Sequence, residues 1–145
     1  MNDVKRPIPR SDEPDTAAFW QGTKEKEFRY QQCKRCNTVV FYSRRHCTGC
    51  TDGELEWKTS AGTGSVYTFS VVRQSYHPFF RNMVPYVVAW IDMDEGPRIL
   101  SNVTGVAPED VSVGQKVQVE WEEHETLNIP LTLIHMSRCR RIERP

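Results

Sequence analysis

No apolar run in these 145 residues approaches the roughly 18 needed to cross a bilayer, and the opening MNDVKRPIPRSDEPD has no apolar core of the kind a secretory signal needs. A soluble cytoplasmic protein with no membrane partner is the expectation. Neither charge sign is in excess: 19 Lys and Arg balance 19 Asp and Glu, so no global basic field marks a general nucleic-acid binder. The P-loop, the dinucleotide fingerprint, GxSxG and HExxH are missing, which leaves no familiar catalytic motif. Internal repeats and low-complexity tracts are missing as well. The length suits one ordinary domain, or a small module joined to a second, and excludes a large multidomain enzyme.

Cysteine is scarce and odd in number, at five, yet four of the five form two tight pairs. That usage suits metal thiolates in a reducing compartment better than a secreted disulfide framework. Charge is also local. Residues 33–50 carry Lys34, Arg35, Arg44 and Arg45 without an acid, whereas residues 82–132 carry nine acids against only Arg98 and Lys116. The two halves have different jobs.

Three segments follow. Residues 1–14, with three prolines and mixed charge, read as a flexible arm. Residues 15–60 hold a short helix and a metal ribbon. In DTAAFWQGTKEKEF, Asp15 or Thr16 is the expected N-cap, Ala17 and Ala18 favour helix, and Gly22 stops it. Phe19 and Trp20 lie side by side on a helix too short to stand alone, which needs the rest of this chain or a partner to lie on. FRYQQC and TVVFYS then read as a hairpin with a CxxC at its tip, followed by a strand around Leu55 and Trp57.

Residues 61–145 show no helical period. Strands are expected at 65–73, 85–96, 97–105, 115–123 and 131–138, with one helical turn at 107–111. In 115–123, Val117, Val119 and Trp121 alternate with Gln118, Glu120 and Glu122, the pattern of a half-buried antiparallel strand. Three strands, a linker and two strands is the order of an OB-fold β-barrel. The fold class is therefore mainly β: a short N-terminal helix, a rubredoxin-like four-cysteine zinc ribbon, and an OB-fold barrel with a basic C-terminal tail.

Cys33, Cys36, Cys47 and Cys50 supply four thiolates in two turns, enough for a tetrahedral ion. Zinc is the expected metal and iron in a rubredoxin-like site its rival. Four sulfurs leave no open position for water or substrate, so the ion is structural. Four thiolates and a dication sum to −2, so Lys34, Arg35, Arg44 and Arg45 leave the knot about +2, an excess that either balances the site or faces the barrel or a partner. His46 reads as a surface or neighbouring group, and Cys139 as an inert thiol with no activating partner. His77, His124 and His135 show no paired partner.

A ligand or partner surface is expected in RQSYHPFFRNMVP (73–85), which sets Arg73, His77 and Arg81 among Tyr76, Phe79 and Phe80. The same residues also read as a barrel cap with solvated arginines. Aromatics beside arginine are the usual anchors of an interface and can also take an adenine face and a phosphate. The tail bases Arg138, Arg140, Arg141 and Arg144 read as solvated or as phosphate contacts. Single-stranded nucleic-acid binding is the competing function. The acids of the barrel strands argue against it and the basic stretch 33–50 weakly for it.

The succession AAFWQGTKEKEFRYQQCKRC, SRRHCTGC, LEWKTSAGTGSVYTFSVV, PYVVAWIDMDEGPRILSNVTG and VGQKVQVEWEE resembles the acyl-CoA-associated zinc-ribbon/OB-fold family, long known as a domain of unknown function. The resemblance runs over about residues 15–125. It implies a non-catalytic accessory subunit of a thiolase-superfamily enzyme, with acyl-CoA as a shared ligand. The partner is a thiolase-like or lipid-transfer-protein-like aldolase, or a MaoC-like hydratase, in a hetero-oligomer. The reaction is retro-aldol cleavage or thiolysis of an acyl-CoA such as a steroid side-chain thioester. On these positions it implies Cys33, Cys36, Cys47 and Cys50 as zinc ligands. Arg73, His77, Phe79, Phe80 and Arg81, with the helix bearing Phe19 and Trp20, are implied as CoA or partner contacts.

Overall fold

The computed structural model describes residues 4–134. The expected C-terminal stretch of the last strand, His135, Cys139 and the tail arginines lie outside the described residues.

Helix α1 (Ala17–Lys24) forms over the alanine-led segment, with Thr16 at its N-cap making no side-chain capping bond. The first turn is instead held by the Glu13 carbonyl, which accepts from the Thr16 and Ala17 N–H groups at 3.1 and 2.8 Å. The helix does not stop at Gly22. That glycine is a packing residue: a Cβ there would come within 2.6–2.9 Å of Arg29 Cγ, Cδ and Nε. The chain turns two residues after the helix, at Lys26, with φ of 58°.

What α1 lies on is its own chain. Phe19 is buried in the core cluster with Phe28, and Asn128 Nδ2 donates to the Thr23 carbonyl at 2.9 Å in a buried bond spanning 105 positions. Asn128→Ala removes that donor and leaves the Thr23 carbonyl only the Lys26 N–H, at 3.1 Å. The expected loss is about 0.5–1.5 kcal/mol of stability, read from the urea midpoint at unchanged slope.

The ribbon is a three-stranded antiparallel sheet in the order β2-β1-β3, from β1 (Arg29–Cys33), β2 (Val39–Val40) and β3 (Leu55–Thr59). Strand β2 is shorter than TVVFYS suggests because Phe41 leaves the sheet to pack on Phe19 and Phe28, at ring-centroid distances of 5.7 and 5.4 Å. Buried Gln31 grips the opposite loop at both ends: its Oε1 accepts from Arg44 N (2.8 Å) and its Nε2 donates to Arg44 O (3.0 Å).

The barrel closes in the order β4-β5-β6-β8-β7, the last strand returning to β4. Its strands are β4 (Thr63–Val72), β5 (Tyr86–Met93), β6 (Arg98–Thr104), β7 (Lys116–Glu123) and β8 (Asn128–Leu133), with a four-residue helix α2 (Pro78–Arg81) between β4 and β5 and a 3₁₀ turn at Pro108–Asp110. All pairs are antiparallel except β6–β8, which is parallel through Val103↔Thr132 and Thr104↔Leu133. This is the OB-fold arrangement expected from the strand order. Alternation fills it: Val66, Val87, Ala89, Ile91, Ile99, Val103 and Val117 point inward. At the seam Gly64 lets β4 approach β5, since a Cβ would lie 2.6 Å from the Asp92 carbonyl oxygen.

Strand β8 starts at residue 128, three positions before the expected start. Pro130 lies inside it, and β6 joins β8 only from Thr132 onward, so the proline sits where one side of the strand has no ladder to lose.

One acid of the β5–β6 turn joins the end of the ribbon to the barrel, and its neighbour pins the start of β4 within the barrel. Glu95, in the β5–β6 turn, accepts from Ser60 Oγ (2.7 Å) and Ala61 N (2.8 Å), and Asp94 accepts from Thr63 Oγ1 at 2.5 Å.

Candidate metal centre and partner surface

The β1–β2 turn presents Cys33 and Cys36, and the loop before β3 presents Cys47 and Cys50. All four sulfurs lie within 4.8 Å of one another. The closest cross-pair distances are 3.7 Å (Cys33–Cys50) and 3.5 Å (Cys36–Cys47). A tetrahedron with metal–sulfur bonds of about 2.3 Å has edges of about 3.8 Å, so the spacing fits such an ion. Each CxxC turn aims backbone N–H groups at its first sulfur. Arg35 and Cys36 donate to Cys33 Sγ (3.4 and 3.5 Å), and Gly49 and Cys50 donate to Cys47 Sγ (3.2 and 3.5 Å).

N–H dipoles aimed at a sulfur favour its thiolate. The Thr38 hydroxyl, 3.0 Å from Cys36 Sγ, together with the Thr38 backbone N–H pulls Cys36 down to about 6. The Cys50 N–H leads in lowering Cys47. Desolvation and the neighbouring sulfurs push Cys50 up to about 12. Four sulfurs this close cannot all carry charge without a cation among them, and a dication removes the conflict. Gly53 completes the cradle, because a Cβ there would overlap Cys33 Sγ and Cys50 Sγ. Gly53→Ala should therefore lower metal retention several-fold, read as metal content after dialysis against a moderate chelator.

The positive excess around the knot disappears in the fold. Lys34 pairs with Glu54 (3.0 Å) and Arg35 with Asp52 (2.6 Å), acids just beyond residue 50, and Arg45 with Asp15 (2.5 Å), 30 positions away before α1. Arg44 is exposed. His46 is exposed.

The 73–85 segment is not all loop. His77 caps α2, its Nδ1 accepting from Phe79 N at 3.2 Å, with Pro78 at the first helical position. Its ring packs on Phe80 at 5.3 Å, which in turn meets Phe79 edge-on at 5.1 Å. Arg81 Nη2 donates to the Tyr76 carbonyl at 3.0 Å, and Arg73, Tyr76 and Arg81 line a shallow hollow of about 360 Å³. Phe79 faces a different hollow, of about 560 Å³, formed with Lys5, Arg6 and His124. The structure thus brings Arg73 and Arg81 together and sets Phe79 apart from them.

Sequence reasoning missed Arg6, which stacks over Phe80 at 5.4 Å and pairs with Glu122 at 3.0 Å. It also left His124 unpartnered, whereas His124 Nε2 lies 2.7 Å from Glu122 Oε1. The signal for that pair was the i, i+2 spacing across the end of β7, which closes at Glu123. Phe19, expected as a partner contact, is turned into the chain's own core at 8% exposure, while Trp20 remains half-buried beside it. Among the described residues no helix is long and apolar enough to cross a membrane.

Comparison with known proteins gives two adjoining family matches: the ChsH2 rubredoxin-like zinc ribbon domain over residues 20–56, and the ChsH2 C-terminal OB-fold domain over residues 57–122. A probable enoyl-CoA hydratase alpha subunit of Thermomonospora curvata is 33% identical over 120 residues, covering 81% of this chain and 36% of the relative. A DUF35 domain-containing scaffold protein of Methanocaldococcus jannaschii is 41% identical over 88 residues, covering 60% of this chain and 62% of the relative. The chain thus spans about a third of the first and under two thirds of the second. Among solved structures, a chain of an Ltp2-ChsH2(DUF35) aldolase superposes with a TM-score of 0.78 at 29% identity, covering 87% of this chain and 98% of that one.

Proposed function

As the chain belongs to the ChsH2 zinc-ribbon and OB-fold family, we propose that it is a non-catalytic accessory subunit of a thiolase-superfamily enzyme, shaping that enzyme's acyl-CoA site and stabilising the complex. The observation that carries this reading is the coverage of 98% of a chain belonging to an Ltp2-ChsH2(DUF35) aldolase. The partner on this reading is a thiolase-like or lipid-transfer-protein-like aldolase. The reaction is retro-aldol cleavage or thiolysis of an acyl-CoA such as a steroid side-chain thioester. The similarity to a hydratase alpha subunit supports a MaoC-like hydratase as a further associate.

Zinc is the structural ion, held by Cys33, Cys36, Cys47 and Cys50. A four-thiolate ion supplies folding free energy and no open coordination site. This chain's own contribution is therefore geometry: the ribbon and α1 are fixed against the barrel, and the barrel presents the β4–β5 connection. Arg73 and Arg81 would meet CoA phosphates or partner carboxylates there, with His77 and Phe80 shaping the helix that carries Arg81 and Phe79 contributing from the neighbouring hollow.

Co-expression with a thiolase-like aldolase from the same genome tests the assembly. The reading expects the two to co-purify at a hetero-oligomeric native mass. A chain that elutes alone as a monomer, with the enzyme's solubility unchanged, contradicts it.

A further inference from the structure

Between α1, the ribbon and the outer face of β6 lies a cleft of about 230 Å³ whose walls are almost entirely apolar. Trp20, Phe41 and Pro130 line it, with Tyr42 and Leu100 at its exposed mouth. Tyr42 and Leu100 are half exposed, at 51% and 50%, and are tied together where Leu100 N donates to Tyr42 Oη at 3.2 Å. Thr16 also lines the cleft, and its Oγ1 is buried without a hydrogen-bond partner, the only such side-chain atom among the described residues.

That hydroxyl stands at the N-cap of α1, where threonine ordinarily accepts from the first-turn N–H groups, and it makes no such bond. An unmet buried hydroxyl is costly, and a water placed beside it would find few further polar groups in so apolar a wall. An engineered apolar cavity of about 150 Å³ holds benzene, so a cleft half as large again encloses on the order of nine heavy atoms, with room for one or two more at its open mouth.

We infer that this cleft is a binding site for a compact apolar small molecule, the size of a fused bicycle, that carries one hydroxyl or keto oxygen placed to hydrogen-bond Thr16 Oγ1. The inference is independent of the accessory role, because the whole site is built from this chain. Occupancy would also tie the helix, the ribbon and the barrel together, since the cleft has walls from all three.

The test titrates 2-naphthol and naphthalene, which share a ring system and differ by one hydroxyl, into the full zinc-loaded chain. Binding is followed by two-dimensional amide and indole NMR. Saturable binding of both is expected, with the Trp20 indole and Thr16 amide signals moving most and 2-naphthol binding more tightly. Thr16→Val keeps the shape and removes the hydroxyl. It should weaken 2-naphthol about five- to tenfold and leave naphthalene unchanged, with the fold intact by its spectrum. Leu100→Trp, at the mouth, should block both ligands. No saturable binding up to the solubility limits would overturn the inference. So would shifts confined to another face, or a Thr16→Val variant that weakens both ligands equally.

Discussion

Replacing Cys33 and Cys36 together by serine is expected to abolish zinc binding and unfold the ribbon. The sheet of β1, β2 and β3 buries few large side chains of its own, chiefly Tyr30 and Val40, and β2 is only two residues long. A structural zinc contributes about 10–16 kcal/mol of folding free energy, comparable to the whole stability of an ordinary domain at about 5–15 kcal/mol. Serine hydroxyls keep the shape of the turn but do not supply the thiolates that the N–H groups of Arg35 and Cys36 are aimed at. Elemental analysis should give about one zinc per wild-type chain and none in the variant. Hydrogen exchange should show protection lost across residues 29–59. Strong chelation of the wild type should reproduce that loss. A metal-free variant with full protection would remove the scaffold role, and iron in place of zinc would reassign the ion.

The second large effect is at Phe28, which is 2% exposed and meets Phe19 at 5.8 Å and Phe41 at 5.4 Å. Helix, ribbon and barrel core meet at these three rings, so Phe28→Ala opens a cavity that no single element can close. The expected loss is about 3–5 kcal/mol in a denaturant titration, against a small change for Tyr76→Ala, whose ring is 83% exposed. A loss below about 1 kcal/mol for Phe28→Ala would mean that the ribbon docks through other contacts.

These two sites also show what was legible in the sequence. The four cysteines were readable because thiolate ligation imposes a local spacing, and the barrel strands because alternation survives without knowledge of partners. Helix α2 had its signal in His77 followed by Pro78, a cap and a first-turn proline, but a single turn carries no period. Features that depend on distant residues were not readable. Gly22 resembles a helix stop until Arg29 is seen lying across it, and what admits Pro130 to a strand shows only once β6 is seen to reach β8 later. The basic residues of 33–50 stood out as a patch because their acids, Asp15, Asp52 and Glu54, lay beyond that stretch. The Phe19–Phe28–Phe41 contact and the cleft beside it needed three segments brought together, which no local pattern announces.

The accessory role is tested most directly by titrating purified zinc-loaded chain into a purified thiolase-like enzyme from the same genome, one that co-purifies with it, while following acyl-CoA turnover. Activity should rise to a plateau at a fixed molar ratio, with no turnover by this chain alone. Turnover by the isolated chain, or an enzyme indifferent to its addition, would contradict the account.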